Sequence, residues 1–350
     1  MNLSIDIPEL IQKLPISVVL RMKLERNYIM AVKGMKNFCG IAEESGSAYY
    51  PLVRNNRLYG DEYLLRKYSG SKEYLYGIIE HGLYFGNNST KVGLKHEWEL
   101  GCILTSGSYR KDLITQVFPD YYCETIGPMI HYAELDEEYY TYIKAQLRTG
   151  SQTLLFFPVH GSALYKPKYD KELALKEILK LAEENNCENI LLCVYVTDIS
   201  EFKEVISKIG LENRFIVVSC GNRYSEKFLC RQKAIILASD ISASNNLGTH
   251  LGYCIYLGKP HILLPQEFYY SGDRKALENE FSAQNRSNNY EDDFGQEKIM
   301  FQEIFNRGCR FITENQVQLC DYYWGFSKVK TPDEIHEIFE ICKKQANKKA

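Results

Sequence analysis

From about residue 150 onward the chain alternates short apolar runs with segments that repeat Leu, Ile and Ala at helical spacing, and this alternation limits what it can fold into. The runs TLLFFP (153–158), ENILLCVYV (188–196), RFIVVSC (214–220), a short run around Ile241 and HILLP (261–265) read as strands. Residues 170–186, 200–209, 226–238 and the stretch from Leu247 to Gly258 read as the helices between them. Strands that are apolar throughout need cover on both faces, and a repeated strand–helix order builds a parallel, doubly wound sheet. Ligands of such sheets sit outside the carboxyl ends of the strands, so the loops that follow each strand are where chemistry is to be sought.

The first 135 residues are less regular. A long helix over 8–37, strands in LYGIIEHG (75–82), GCILTSG (101–107) and CETIGPMI (123–130), and a helix in LDEEYYTYIKAQLRT (135–149) predict a first Rossmann-like domain and a passage into the second. The expected fold class is therefore α/β, with two Rossmann-like domains, 1–135 and 150–330, facing across a cleft. Residues 331–350 hold a last helix over 332–347, capped by Thr331 with Pro332 at its first position, and placed to pack back on the first domain. Residues 271–298 are polar and turn-rich and read as a mobile loop.

The charge balance, 42 Lys and Arg against 45 Asp and Glu, argues against nucleic acid as a partner. Eleven cysteines are scattered, odd in number and mostly set in apolar runs, so they read as reduced core thiols. No Cys-x-x-Cys pair and no cluster of His ligands suggests a metal site, and no cofactor is called for. Neither a secretory leader nor a run of roughly 18–20 apolar residues is visible, so a cytoplasmic protein is expected. Lys13, Arg21, Lys23, Arg26, Lys33 and Lys36 lie among apolar residues of the 8–37 segment. That pattern suits a packed helix with a solvated face, and also peripheral contact with the inner face of an anionic membrane.

Three loops could carry chemistry. In ASDISASNNLGTHLGYCIYLGKPHILL (238–264) a strand ends in small polar residues and a helix follows. Free backbone N–H groups at such a turn suit a diphosphate, with Gly248 open to close approach and Ser244, Asn245, Thr249 and His250 as side-chain donors. Against this, Ser244 or Asn245 would serve equally as a plain helix cap. The second loop, in FFPVHGS (156–162), offers His160, Gly161 and Ser162 beside the same edge, with Lys166 to add charge. The third, YGIIEHGLYFG (76–86), brings Glu80 and His81 to a strand end in the first domain. His titrates nearest neutral pH, so His81 is the preferred base, with Glu80 as its orienting partner or substitute. Glu267 reads as a ribose binder or a solvated acid, and Arg110 with Lys111 as a solvated pair.

The run SNNLGTHLGYCIYLGKP, with RFIVVSCGN and KAIILASD before it, resembles the donor side of bacterial GT-B glycosyltransferases that make capsule and lipopolysaccharide. The resemblance covers about residues 150–265, and the first 130 only in outline. It implies a metal-independent transfer from a nucleotide sugar, bound on the second domain, to a glycan or lipid-linked glycan acceptor on the first. A sugar-nucleotide 2-epimerase of the same fold, or a non-catalytic sugar-nucleotide-binding assembly subunit, would share the phosphate turn.

Overall fold

The computed structural model describes residues 51–85, 99–161, 165–272 and 290–348, with a few positions before residue 45. The first unit holds helix α1 (Asp61–Ser69), strands β1 (Ile78–Ile79) and β2 (Cys102–Thr105), helix α2 (Ser108–Val117), strand β3 (Tyr122–Thr125) and helix α3 (Glu137–Lys144). Its three strands form a parallel sheet in the order β1-β2-β3. The second unit runs through β4 (Gln152–Phe157), β5 (Tyr165–Lys168), α4 (Lys171–Glu184), β6 (Cys187–Cys193), α5 (Ile199–Lys208), β7 (Phe215–Val218) and α6 (Phe228–Leu237). It continues through β8 (Ile241–Ser244), α7 (Thr249–Tyr256), β9 (His261–Leu263), β10 (Tyr269–Gly272) and α8 (Tyr290–Ile304). Its main sheet is parallel throughout, in the order β9-β8-β4-β6-β7. The order turns back between β4 and β8, so the loops after those two strands flank the switch point.

Strand periodicity explains why these strands are apolar on both faces. Leu154 and Phe156 of β4 point into a core closed by α4 and α5, whereas Leu155 and Phe157 point into a larger core that is continuous with the first unit. In β6, Ile190 and Leu192 face the first core and Leu191 and Cys193 the second.

Two C-terminal helices tie the units together. Helix α9 (Glu314–Trp324) starts at a capping box between Thr313 and Gln316 and stops at Gly325, which is left-handed (φ 70°). Its Trp324 is fully buried against Gly252 of α7, where an added Cβ would lie 2.2 Å from the indole. The indole N–H donates to the Thr249 carbonyl at 3.0 Å, fixing the first turn of α7. On its other side α9 crowds Gly107 of the first unit, where a Cβ would lie 2.5 Å from the Tyr322 carbonyl. Helix α10 (Pro332–Lys348) buries Ile335, Ile338, Phe339 and Cys342 on the first unit, and Lys343 pairs with Glu73 at 3.0 Å.

Several sequence expectations are corrected here. The strand read over 123–130 ends at Thr125, because Gly127 is left-handed (φ 71°) and packs against Val329 and the Gly325 carbonyl. The segment 271–298 is not one loop: Ser271 and Gly272 finish β10, which pairs antiparallel with β5, and residues 290–304 are helical. Residues 273–289, and most of the 8–37 segment, lie outside the described residues. The ten described cysteines are all free thiols, eight of them buried.

Candidate functional site

The two switch-point loops meet. Asn245, which is buried just after β8, accepts the Val159 N–H at 2.6 Å through Oδ1 and donates to Gln266 Oε1 at 3.1 Å through Nδ2. Its amide is thus consumed in holding the loops after β4, β8 and β9 in register, and it acts on a ligand through their backbones. Ser244 is corrected more sharply. Its hydroxyl is fully buried, lying 2.9 Å from the Asn246 carbonyl and 2.9 Å from Nε2 of His261, so it does not face a ligand. Neither residue caps the helix: that position falls to Gly248.

His261 was not singled out from the sequence, yet it organises this turn. Its Nδ1 lies 2.8 Å from the Ser242 hydroxyl while its Nε2 meets Ser244, so the ring bridges two residues of β8. Burial, then the neighbouring His250, hold it well below its ordinary 6.5. A neutral ring donates at one nitrogen and accepts at the other, which suits two hydroxyls. Because the folded form resists a proton that the unfolded chain accepts, this contribution to stability is present above pH 6.5 and declines as pH falls. Urea melts at pH 7 and pH 5 should show a smaller gap between the two conditions in His261→Gln than in the natural protein. An unchanged gap would leave acid sensitivity to other groups.

Around this turn the structure brings together side chains from both units. Gly82 and Leu83, just past β1, reach the second unit, where the Leu83 N–H donates to Thr249 Oγ1 at 3.0 Å. Thr249 is therefore an inter-unit contact as well as the first residue of α7. His81 lies one residue earlier, half-buried, its ring 4.4 Å from that of Tyr59. Tyr59 in turn donates its backbone N–H to the carbonyl of Arg223 at 2.6 Å, and Arg223 lies in the loop after β7. Burial foremost, then the positive charges of Arg223 and His160, push His81 down to about 3. His250 is likewise pushed down to about 3, by burial and then by His160, and its ring stacks on Phe157 at 4.8 Å. Nδ1 of His81 and Nε2 of His250 are enclosed and have no hydrogen-bond partner. Buried, unmatched polar atoms are costly to the fold.

Gly248 bears on the same imidazole. An added Cβ would lie 2.9 Å from Cε1 of His250, so glycine here makes room for that ring. His160 is exposed, its Nδ1 3.1 Å from the Gly161 carbonyl and its ring 6.0 Å from that of Tyr195. Ser162 lies outside the described residues. Lys166 supplies no spare charge, since it pairs with Asp198 at 3.3 Å and Glu201 at 3.8 Å. Glu267 is exposed after β9, and Gln266 beside it is the residue built into the site.

Glu80 is not a free carboxylate. Arg110 binds it through two nitrogens, at 2.6 and 3.2 Å, and the Thr105 hydroxyl donates to it at 2.6 Å. Both side chains of the ion pair are about 1% exposed. The reading of Arg110 as solvated surface is thus overturned, and Glu80 as a substitute base is disfavoured by an acceptor set already filled. Lys111 fits the surface reading, pairing with Glu124 at 3.5 Å.

Three further residues escaped sequence reasoning: Tyr59, which packs on His81, Arg223, whose carbonyl Tyr59 binds, and Asp61. Asp61 is buried at the start of α1 with Oδ1 unpartnered, and burial raises its carboxyl well above the ordinary range. Arg223 had a usable signal, being a basic residue in the loop that follows a strand at the carboxyl edge of a parallel sheet. Among the described residues no group of three or more His, Cys, Asp or Glu is placed to hold a metal ion, and no helix is long and apolar enough to cross a membrane.

No family model matches the chain, and no curated protein matches its sequence. Among solved structures it is similar to the wall teichoic acid polymerase TagF at 12% identity and a TM-score of 0.41, over 79% of this chain and 70% of that one. It is similar to UDP-GlcNAc 2-epimerase from Neisseria meningitidis at 15% identity and a TM-score of 0.36, over 71% of this chain and 62% of that one. The pneumococcal O-GlcNAc transferase GtfA matches at 11% identity and 0.35, over 78% of this chain and 52% of that one. The chain thus spans less than two thirds of the last two proteins. The likeness is one of architecture.

Proposed function

We propose that this chain is a glycosyltransferase that moves a sugar from a nucleotide-sugar donor, seated on the second unit, to a hydroxyl of a glycan or lipid-linked glycan held at the first. The observation that carries this is the meeting of His81, delivered by β1 of the first unit, with the switch-point loops of the second through Leu83 and Thr249. A donor at the switch point leaves its anomeric carbon pointing across to the first unit. There an acceptor oxygen attacks that carbon, His81 takes the hydroxyl proton, and the bond to the phosphate breaks with its electron pair leaving on the nucleoside diphosphate. With Nδ1 of His81 enclosed, the proton-accepting nitrogen in this reading is Nε2. The leaving charge meets backbone N–H groups at the start of α7 and the cations nearby, so a metal is not required by this scheme. The resemblance of residues 238–264 to capsule and lipopolysaccharide enzymes supports a cell-surface glycan as product and a cytoplasmic site of action, with peripheral membrane contact where the acceptor is lipid-linked.

A melting screen with UDP, GDP, CMP, CDP and dTDP tests the donor half. A nucleotide at 100 times its Kd should add about 2.7 kcal/mol of apparent stability. Incubation with the matching nucleotide sugars, with and without acceptor, tests the rest. An altered sugar nucleotide formed without acceptor would indicate epimerisation, and binding without any product would indicate an assembly subunit.

A further inference from the structure

We propose that Tyr59 is the positioning residue of His81: its ring, fastened to the second unit, is the surface that holds the imidazole in register for the acceptor hydroxyl. This rests on the glycosyltransferase reading above, in which His81 is the base, and names what aligns that base.

The backbone at Tyr59 is unusual. Leu58 (φ −60°, ψ 133°) and Tyr59 (φ 55°, ψ 9°) take the two central positions of a type II turn, whose second place calls for a left-handed residue and is ordinarily filled by Gly or Asn. Among the described residues only Tyr59 and Asn186 are left-handed without being glycine, and Asn tolerates that conformation far better than a bulky aromatic residue does. A strained residue persists only where its surroundings over-determine it. Those of Tyr59 do so. Its N–H donates to the Arg223 carbonyl at 2.6 Å, and its ring stacks on Phe228 of α6 with centroids 4.4 Å apart and planes inclined by 19°. At Gly60 the two backbones come so close that an added Cβ would lie 2.8 Å from Cα of Glu226. Residues 223–228 of the second unit thus hold a strained turn of the first.

The same ring meets His81, with centroids 4.4 Å apart and planes inclined by 46°. A general base is usually oriented by a hydrogen bond from its second nitrogen to a carboxylate or a carbonyl. His81 has no such partner at Nδ1, and the adjacent carboxylate, Glu80, is taken by Arg110 and Thr105. The backbone is fixed on either side, where the Glu80 N–H donates to the Leu104 carbonyl at 2.9 Å and the Leu83 N–H to Thr249 at 3.0 Å. Neither bond sets the side-chain torsions of the histidine. What chooses its rotamer is packing, and the Tyr59 ring supplies it. A ring contact restrains the tilt of the imidazole without consuming either nitrogen, so the base is aligned and remains free to take a proton.

The test compares Tyr59→Phe, which keeps the ring, with Tyr59→Asn, which suits the left-handed turn but removes the ring, in the full-length protein and with the donor identified by the incubations above. Tyr59→Phe should transfer sugar at close to the natural rate. Tyr59→Asn should lower kcat per folded molecule by about 10²-fold, the cost of a misplaced reacting group, with the donor Kd unchanged. In a His81→Ala background it should add no further loss, because the ring acts only through the imidazole. By NMR, with His81 assigned from the spectrum of His81→Gln, the His81 ring protons should carry a ring-current shift in the natural protein and in Tyr59→Phe that disappears in Tyr59→Asn. Should Tyr59→Asn fail to fold, Tyr59→Leu, which keeps apolar bulk against Phe228, replaces it with the same expectations. The proposal is overturned by unchanged kcat per folded molecule in the variant without a ring, by a loss that adds in full to that of His81→Ala, or by His81 protons that show no ring-current shift in the natural protein. Each of these leaves the glycosyltransferase reading standing. If no nucleotide sugar is consumed, or if His81→Ala transfers at the natural rate, the base assigned in that reading fails and the positioning role fails with it.

Discussion

Glu80→Gln should destabilise the folded protein by about 3–5 kcal/mol, the usual cost of removing one partner of a buried ion pair. The carboxylate receives two donors from Arg110 and one from Thr105. A glutamine of the same shape keeps one acceptor oxygen and turns an NH2 group toward the guanidinium, so donor faces donor. Arg110 lies 1% exposed on α2, with its guanidinium also over the Tyr84 ring, and has no route to water without unpacking that helix. The loss should appear as a lower urea midpoint, with unchanged slope if the transition stays two-state. Arg110→Met should cost a comparable amount, because it leaves the Glu80 carboxylate buried without its cation, and the double variant should recover part of the deficit. A Glu80→Gln protein of full stability and low turnover would reverse this assignment and return the carboxylate to chemistry.

That pair shows where a sequence stops being informative. Glu80 and Arg110 lie thirty residues apart, one at the end of a two-residue strand and the other in the first turn of a helix, and each alone reads as a polar group near a strand end. Their meeting depends on the packing of α2 over β1 and β2, which no local pattern encodes. The second unit was legible because its strands are buried on both faces and carry an unbroken apolar signal, as in Leu154 to Phe157. The β5–β10 ribbon left no such trace, since Pro167 and the surrounding polar residues read as loop, although Pro is tolerated in a two-stranded ribbon. At the switch point, Ser244 and Asn245 were identified as special by composition, but composition cannot tell a donor facing a ligand from one facing a neighbour. His261 and the Val159 N–H claim those two side chains.

His81→Ala should lower turnover by about two to four orders of magnitude, the range associated with a lost general base, while changing nucleotide affinity little. The separation follows from the layout. The imidazole is carried by the first unit and, in the proposed reaction, meets the acceptor hydroxyl, whereas the nucleoside diphosphate is held by loops of the second. Loss of His81 should therefore depress kcat and kcat/KM together, with the donor Kd measured by titration unchanged. Stability should hold or rise, since the substitution removes an enclosed Nδ1 that has no partner, along with a neutral imidazole that disfavours folding in acid below pH 6.5. That combination distinguishes a base from a packing residue, whose loss would lower stability and leave kcat per folded molecule intact. Should His81→Ala transfer sugar at the normal rate, the proton must leave by another group. The two within reach of the same cleft are His160, exposed at the end of β4, and the buried Asp61, whose carboxyl already favours the protonated form. A rate lost in His160→Ala would select that imidazole, and a rate lost only in Asp61→Asn would select the carboxyl.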